Sequence, residues 1–443
     1  MNAFTNFATH LYVTMHSKSS LNRWPFFYGF VILIMGTIGI FASVPGQTVG
    51  VSTFTDPVKD ALGLSRNEFS WAYTFGTISS SLLLGLAGKW FDKYGARRVS
   101  FFAATGLSFA LFISSQSSVI STYLQEQLNL SSWIIPFVVI MICFFMLRFT
   151  GQGVLTMASR NMIMLWFDQY RGRMNAISSV AVSLGFSISP LWISYLIDLD
   201  GWQMAWQWMA LGLAVMAVFI YLSYRESPEK VGLVPDGNLV LKKKNSGSDD
   251  KIKQYTKKEA IQTRAFWMYS LMLAFSGYFI TGLTFHIISI FNSVGLSKAD
   301  AISIFLPISV ISVITSIAFN ALSDILKLKN LLFLMILGGF ISSLGLSLLS
   351  LPIGYYLLIA GCGFMGGLFA VLVSVTWPRF YGRQHLGAIS GLTMQMIVFA
   401  SALGPILFSY SFKLFGSYSI ISWAGLTLLI FIGIGSLKAN NPQ

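Results

Sequence analysis

Charge is scarce in this sequence. Asp, Glu, Lys and Arg make up 10% of 443 residues, against 55% hydrophobic and 15% aromatic. That polar surface is far too small to cover a soluble domain of this size, which excludes the soluble globular class. Acidic residues are fewest, at 16, and none falls in the interior of a long apolar run. The two cysteines, Cys143 and Cys362, lie in different apolar runs and report nothing about redox compartment. No G-x-x-x-x-G-K-[ST] loop is present, so ATP drive within this chain is unsupported, and no metal-ligand or nucleophile cluster points to a cofactor or to enzyme chemistry.

What the chain has instead is runs long enough to cross a bilayer. A hydrocarbon core about 30 Å thick takes roughly 20 helical residues. Twelve such runs are expected, at 26–52, 68–90, 99–120, 133–165, 174–196, 205–224, 266–293, 301–322, 331–350, 355–378, 386–410 and 418–437. Backbone groups in lipid must be bonded internally, so continuous runs of this length read as helices and not barrel strands. The expected fold class is an all-α integral membrane protein. Basic residues orient it: 23 of the 29 Lys and Arg fall on the side of the N-terminus and only Lys59, Arg66, Lys298 and Lys413 on the other. By the positive-inside rule both termini are then cytoplasmic. The net charge of +13 reads as a topology signal and a contact for acidic lipid, not a nucleic-acid footprint. Residues 1–25 show no cleavable signal pattern; Phe4, Phe7, Leu11 and Met15 recur at helical spacing, fitting either a surface helix or a disordered tail.

The polar stretch 225–265 reads as a cytoplasmic linker between a six-helix half at 26–224 and another at 266–437, with a tail at 438–443. An internal repeat supports that division. "GLSRNE" at Gly63 returns as "GLSKAD" at Gly295, and Asp92 and Asp324 share the same offset of 232 residues. "PLWISY" at Pro190 returns as "PILFSY" at Pro405 with a smaller offset, 215, as expected if the loop before the fourth run exceeds its counterpart. Two repeated halves with a site near the midplane are a transporter architecture.

The loop after the second run reads "GKWFDKYGARRV". It combines a small residue for close helix approach, a carboxylate at a helix end, a turn glycine and retained basic residues. Here the chain resembles the major facilitator superfamily, matching its loop signature through Gly88, Asp92, Lys93, Gly95, Arg97 and Arg98, with Ala96 at a position that is often arginine. The second copy, "NALSDILKLKN", keeps Asp324 but has Asn320 for the first glycine. The resemblance covers nearly the whole chain and implies a gating role for these residues, with Asp92 a latch facing a helix N-terminus of the other half; simple anchoring of the loop is the alternative. "GLSRNEFSWAY", "SPEKVGLVPDG", "KKEAIQTRAFW" and "WPRFYGR" look like segments of the oxalate/formate antiporter and monocarboxylate transporter branch. That branch holds carboxylates with basic residues in helices one, eight or eleven, and this sequence has none there.

The candidate site centres instead on "FFMLRFTGQG". Arg148 lies near the midplane of the fourth run, where an arginine costs ~2.5–3.5 kcal/mol and should face protein or water. Gln152, Thr156 and Ser159 follow on the same helical face. Gly151 partly matches an R-x-x-x-G pattern that the resemblance links with proton-coupled exporters. Substrate-anion ligand, gating residue and static tie between helices all remain open for Arg148. His286, with Tyr278 and Gly282 on its face, is either a cavity residue suited to proton exchange or an interface histidine bonded to a carbonyl. Gln47, beside the Pro45–Gly46 break, and Gln395 are further cavity candidates. Arg160 reads as an inner-gate or headgroup contact. Ser179, Ser183, Ser187 and Ser194 form a stripe read as helix packing or cavity lining.

One positive charge and no negative one inside the spans should attract an anion. The expectation is a monomeric secondary transporter of a bacterial inner membrane, moving a small organic anion by exchange or proton coupling, with membrane lipids around it. Export of an amphipathic compound is the alternative, and a non-transporting receptor or scaffold the alternative of another class.

Overall fold

The computed structural model describes residues 26–130, 132–237 and 253–443. The segment 1–25, with its candidate surface helix, lies outside the described residues, as does the centre of the linker. Among the described residues the chain is helical with no strand. The first half runs α1 (Gly29–Phe41), a 3-10 turn (Val44–Gly46), α2 (Thr48–Ser52), α3 (Thr55–Ala61), α4 (Arg66–Ser115), α5 (Ser117–Leu128), α6 (Ile134–Leu147), a π-helical turn (Arg148–Leu155), α7 (Thr156–Trp166) and α8 (Arg171–Ser223). The second runs α9 (Lys257–Gln262), α10 (Arg264–Asn292), α11 (Lys298–Ser303), α12 (Phe305–Ser323), α13 (Leu328–Ser347), α14 (Pro352–Tyr381), α15 (Leu386–Phe415) and α16 (Ser419–Ser436).

Ten helical runs among the described residues are long and apolar enough to cross a membrane. Two of them, α4 with 50 residues and α8 with 53, are each about twice the length a bilayer core accommodates. Each turns back at a glycine with φ +82°, Gly95 in α4 and Gly201 in α8. Divided there, the ten runs make twelve segments. A residue with a side chain is strained at that φ, and at Gly95 an added Cβ would also meet the Glu226 side chain.

The repeated "GLS" segments have a physical cause. Ser65 and Glu68 form a capping box at the start of α4, and Ser297 and Asp300 form the same box at the start of α11. Each box fixes where a helix begins after a turn glycine of positive φ, Gly63 or Gly295. The drop in repeat offset is explained by α5, an extra helix of 12 residues before the fourth apolar run.

The halves pack through α4 against α15 and α8 against α12. Large apolar side chains such as Phe102, Phe109, Leu191, Leu306 and Phe431 point outward, as a lipid-facing surface requires. We call the end carrying Asp92, Asp324 and the linker the linker end.

Candidate functional site

The fourth apolar run is not a uniform α-helix. At Arg148 its bonding widens to i→i+5 and stays so to Leu155, a π-helical turn of 8 residues. The regular α-helical register expected for Arg148, Gln152, Thr156 and Ser159 therefore does not hold. The turn lies where the fourth run packs closely on the first: Gly46 and Gly151 meet backbone to backbone, and a Cβ on Gly46 would strike the Leu147 carbonyl. Such turns inside helices concentrate at functional sites.

The first run itself breaks at the 3-10 turn Val44–Gly46, after which Gln47 is extended (φ −84°, ψ 159°). The break frees the Gly46 carbonyl. Arg148 takes it: its Nη1 donates to Gly46 O (3.3 Å) and to Thr48 Oγ1 (3.2 Å). Thr48 Oγ1 is also bonded to the Tyr73 hydroxyl at 3.0 Å, and the guanidinium lies 5.2 Å from the Tyr73 ring centre. Arg148 is 1% exposed, makes no ion pair among the described residues, and its Nε has no partner. Gln152 Oε1, four residues on, is buried and likewise unpartnered. Thr156 and Ser159 are bonded into the bundle: Thr156 to Ser43 (2.8 Å) and to Gln47 Nε2 (3.0 Å), Ser159 to the Tyr224 hydroxyl (2.8 Å).

At the linker end the repeat becomes geometry. Asp92 accepts from the N–H groups of Gly387 and Ala388, both at 2.7 Å, in the first turn of α15. Asp324 accepts from Gly172 (2.8 Å) and Arg173 (3.3 Å) in the first turn of α8. Each carboxylate thus sits on the N-terminus of a helix in the other half, where exposed N–H groups and the helix dipole favour a negative charge. Gly88 lets α4 approach Gly387 and Gly391 so closely that a Cβ on Gly88 would collide with the Gly387 carbonyl. Asn161 to Ser390 (2.7 Å) and Asn175 to Asn320 (2.6 Å) add cross-half bonds. Arg383 donates to Leu165 O (2.7 Å) and pairs with Glu229 of the linker (2.5 Å). Sequence reasoning missed Thr48, Tyr73, Asn161, Asn175 and Arg383, polar residues of types too common to single out without knowing what they face.

At the opposite end, cavities lie between the halves. One cavity of about 270 Å³ is lined by Arg66, Asn67 and Trp71 from the first half and His286, Pro405 and Tyr410 from the second. A neighbouring one of about 630 Å³ shares Arg66 and His286. His286 lies at this end, its Nε2 2.9 Å from Pro405 O, which is the carbonyl-bonded arrangement anticipated as its alternative. Its bonded partner comes from the second half and those of Arg148 from the first, so the structure brings the two together through no shared contact.

Tyr278 packs on Phe275 and Phe408, and Gln395 lies across from Gly85 of the other half. Arg160 is half-buried, without a hydrogen-bond or ion-pair partner among the described residues. Lys93 lies over the Tyr94 ring, and Arg97 donates to Tyr221 O (2.6 Å) across its ring. In the serine stripe, Ser187 and Ser194 are exposed, which excludes tight helix packing for them.

Ten bilayer-length helical runs among the described residues, a linker end held by carboxylates on helix N-termini and a buried cation between broken helices define a polytopic membrane protein. The chain belongs to the Major Facilitator Superfamily, whose family model matches residues 26–405. It is 27% identical over 198 residues, 45% of this chain, to the L-fucose-proton symporter of Haemophilus influenzae. That match spans 42% of the relative, less than half of its length. In fold it is similar to the proton:xylose symporter XylE (TM-score 0.66, 17% identity, covering 94% of this chain and 97% of the other). It is similar also to the human organic anion transporter MFSD10 (TM-score 0.60, 15% identity, 92% and 99%).

Proposed function

We propose that this chain is a secondary active transporter that moves a small organic anion by alternating access, by exchange or with a proton, in a bacterial inner membrane. The observation that carries the reading is Arg148, a buried guanidinium with an unpartnered Nε and no carboxylate partner among the described residues. A buried charge without a counter-ion is costly, and a carboxylate substrate supplies one. Guanidinium N–H groups match a carboxylate in paired geometry. Gln152 Oε1 lacks a donor, so a carboxylate that also carries a hydroxyl, such as a hydroxy acid or sugar acid, satisfies both orphaned groups. The carboxylates of Asp92 and Asp324 serve as latches at the linker end, breaking as the halves rock, with Gly88, Gly95, Arg97 and Arg160 shaping that gate. His286 receives the substrate at the opposite end, and Gln47, Tyr278 and Gln395 border the path between.

A neutral sugar moved with a proton is the second reading, favoured by the identity to the fucose symporter. It lacks a membrane-embedded carboxylate here to carry the proton. Proteoliposome flux separates the two. Hydroxy acids and sugar acids are expected to accumulate under an imposed proton gradient or to exchange with preloaded anion, while L-fucose and D-xylose are not. Accumulation of the neutral sugars alone refutes the anion reading, and flux of no solute under either drive refutes transport.

A further inference from the structure

Two residues of the signature loop are left unused by the gate, Lys93, which lies over the Tyr94 ring, and Arg98. Asp92 is docked on α15, Gly95 makes the turn, and Arg97 is bonded to Tyr221. Arg98 is exposed and has no hydrogen-bond or ion-pair partner among the described residues. It stands at the rim of a cavity of about 510 Å³ on the outer face of the first half, lined otherwise by Trp90, Tyr94, Phe102, Phe149 and Val154. The two arms of α4 on either side of Gly95 form its walls. Phe149 and Val154 come from the π-helical turn, whose other face carries Arg148.

The walls face outward: Phe102 is 68% exposed, Trp90 46% and Tyr94 42%. A groove this apolar on the outside of a membrane protein is in contact with lipid and not with water. Its chemistry is one-sided along its length. The basic groups around its linker end are Lys89, Lys93 and Arg98, while the carboxylates nearby are already engaged, Asp92 with α15 of the other half and Glu226, which lies against Gly95, with Lys230. Aromatic rings below and a free guanidinium above are complementary to one molecule, an acyl chain with an anionic head.

We propose that this groove binds a single anionic phospholipid from the leaflet at the linker end. Its acyl chain lies among Trp90, Phe102 and Phe149, and its headgroup phosphate accepts from Arg98. The full chain, purified in detergent, is mixed with equal amounts of phosphatidylglycerol and phosphatidylcholine of the same chain length, and retained lipid is counted by native mass spectrometry. Phosphatidylglycerol is expected to be retained about fivefold over phosphatidylcholine, the discrimination one basic residue near the headgroups supplies. Arg98→Gln should abolish the preference without abolishing retention, and Ala103→Trp, which fills the floor of the groove, should abolish retention of both. Phosphatidylglycerol with brominated chains should quench tryptophan fluorescence in the wild type, with that part of the quenching lost in Trp90→Phe. Equal retention of the two lipids by the wild type overturns the proposal, as does a preference that survives Arg98→Gln. Arg98 is exposed, so that variant carries the test if Ala103→Trp fails to fold.

Discussion

Replacing Arg148 separates a substrate ligand from a structural tie, because the two roles move different observables. In the wild type the side chain makes two long hydrogen bonds, at 3.3 and 3.2 Å, and leaves Nε unpaired. Bonds of that length contribute at most ~1 kcal/mol each, while an arginine at mid-span costs ~2.5–3.5 kcal/mol to hold there. Arg148→Ala should therefore leave the ligand-free protein as stable as before, or more stable by about 1 kcal/mol. Two charge-assisted bonds to a carboxylate, at ~1.5 kcal/mol each, correspond to roughly a hundredfold in affinity. The same variant should lose about that much affinity, and Arg148→Lys, which keeps the charge but not the paired geometry, about tenfold. Thermal unfolding of the purified variants, alone and titrated with the hydroxy acid found by flux, reads both quantities. A fall of several degrees in the ligand-free melting temperature with affinity within twofold of wild type refutes the ligand role.

Loss of charge at either latch should favour opening of the linker end. Asp92→Asn gives up a charged acceptor of two 2.7 Å bonds, Asp324→Asn one whose second bond is 3.3 Å, so the first should shift the equilibrium more, by ~1 kcal/mol or about fivefold. Spin-label distances between the halves at that end would show it, and unchanged distributions in both variants would count against the latches. Gly95→Ala puts a Cβ at φ +82° and against Glu226, which should lower the melting temperature by the equivalent of ~1–2 kcal/mol; a melting curve matching wild type would show the turn relaxing elsewhere. Thr48→Val removes one Arg148 bond and the Tyr73 partner and should reduce anion affinity by less than tenfold, about 1 kcal/mol. A loss as large as that of Arg148→Ala would place Thr48 itself on the substrate.

The membrane spans were legible because a bilayer imposes a length and a polarity that apolar runs display directly. The loop signature was legible for a related reason: Gly88, Asp92 and Gly95 are each required by a local constraint, a close approach, a helix-end charge and a positive φ. Arg148 stood out as a charge in the wrong solvent. Its surroundings did not, since Thr48 and Tyr73 lie 100 and 75 residues away in sequence and ordinary hydroxyl residues carry no mark of what they will face. The π-helical turn was hidden as well. It lies where two glycine-bearing backbones meet, Gly46 on Gly151, a contact visible only once the first and fourth runs are paired. The divisions of α4 at Gly95 and of α8 at Gly201 fall between runs the sequence already separates, 68–90 from 99–120 and 174–196 from 205–224, because a glycine at φ +82° ends one helix and turns the chain into the next.

The meeting of Gly88 with Gly387 and Gly391 bears on how often the linker end can be remade. A seam of backbone has no rotamers to search and no side-chain entropy to surrender when it closes. Its register is set at its edges, by the Asp92 carboxylate and by cross-half side-chain bonds such as Asn161 to Ser390. In the proposed transport cycle, a gate built this way would close to the same surface at each turnover.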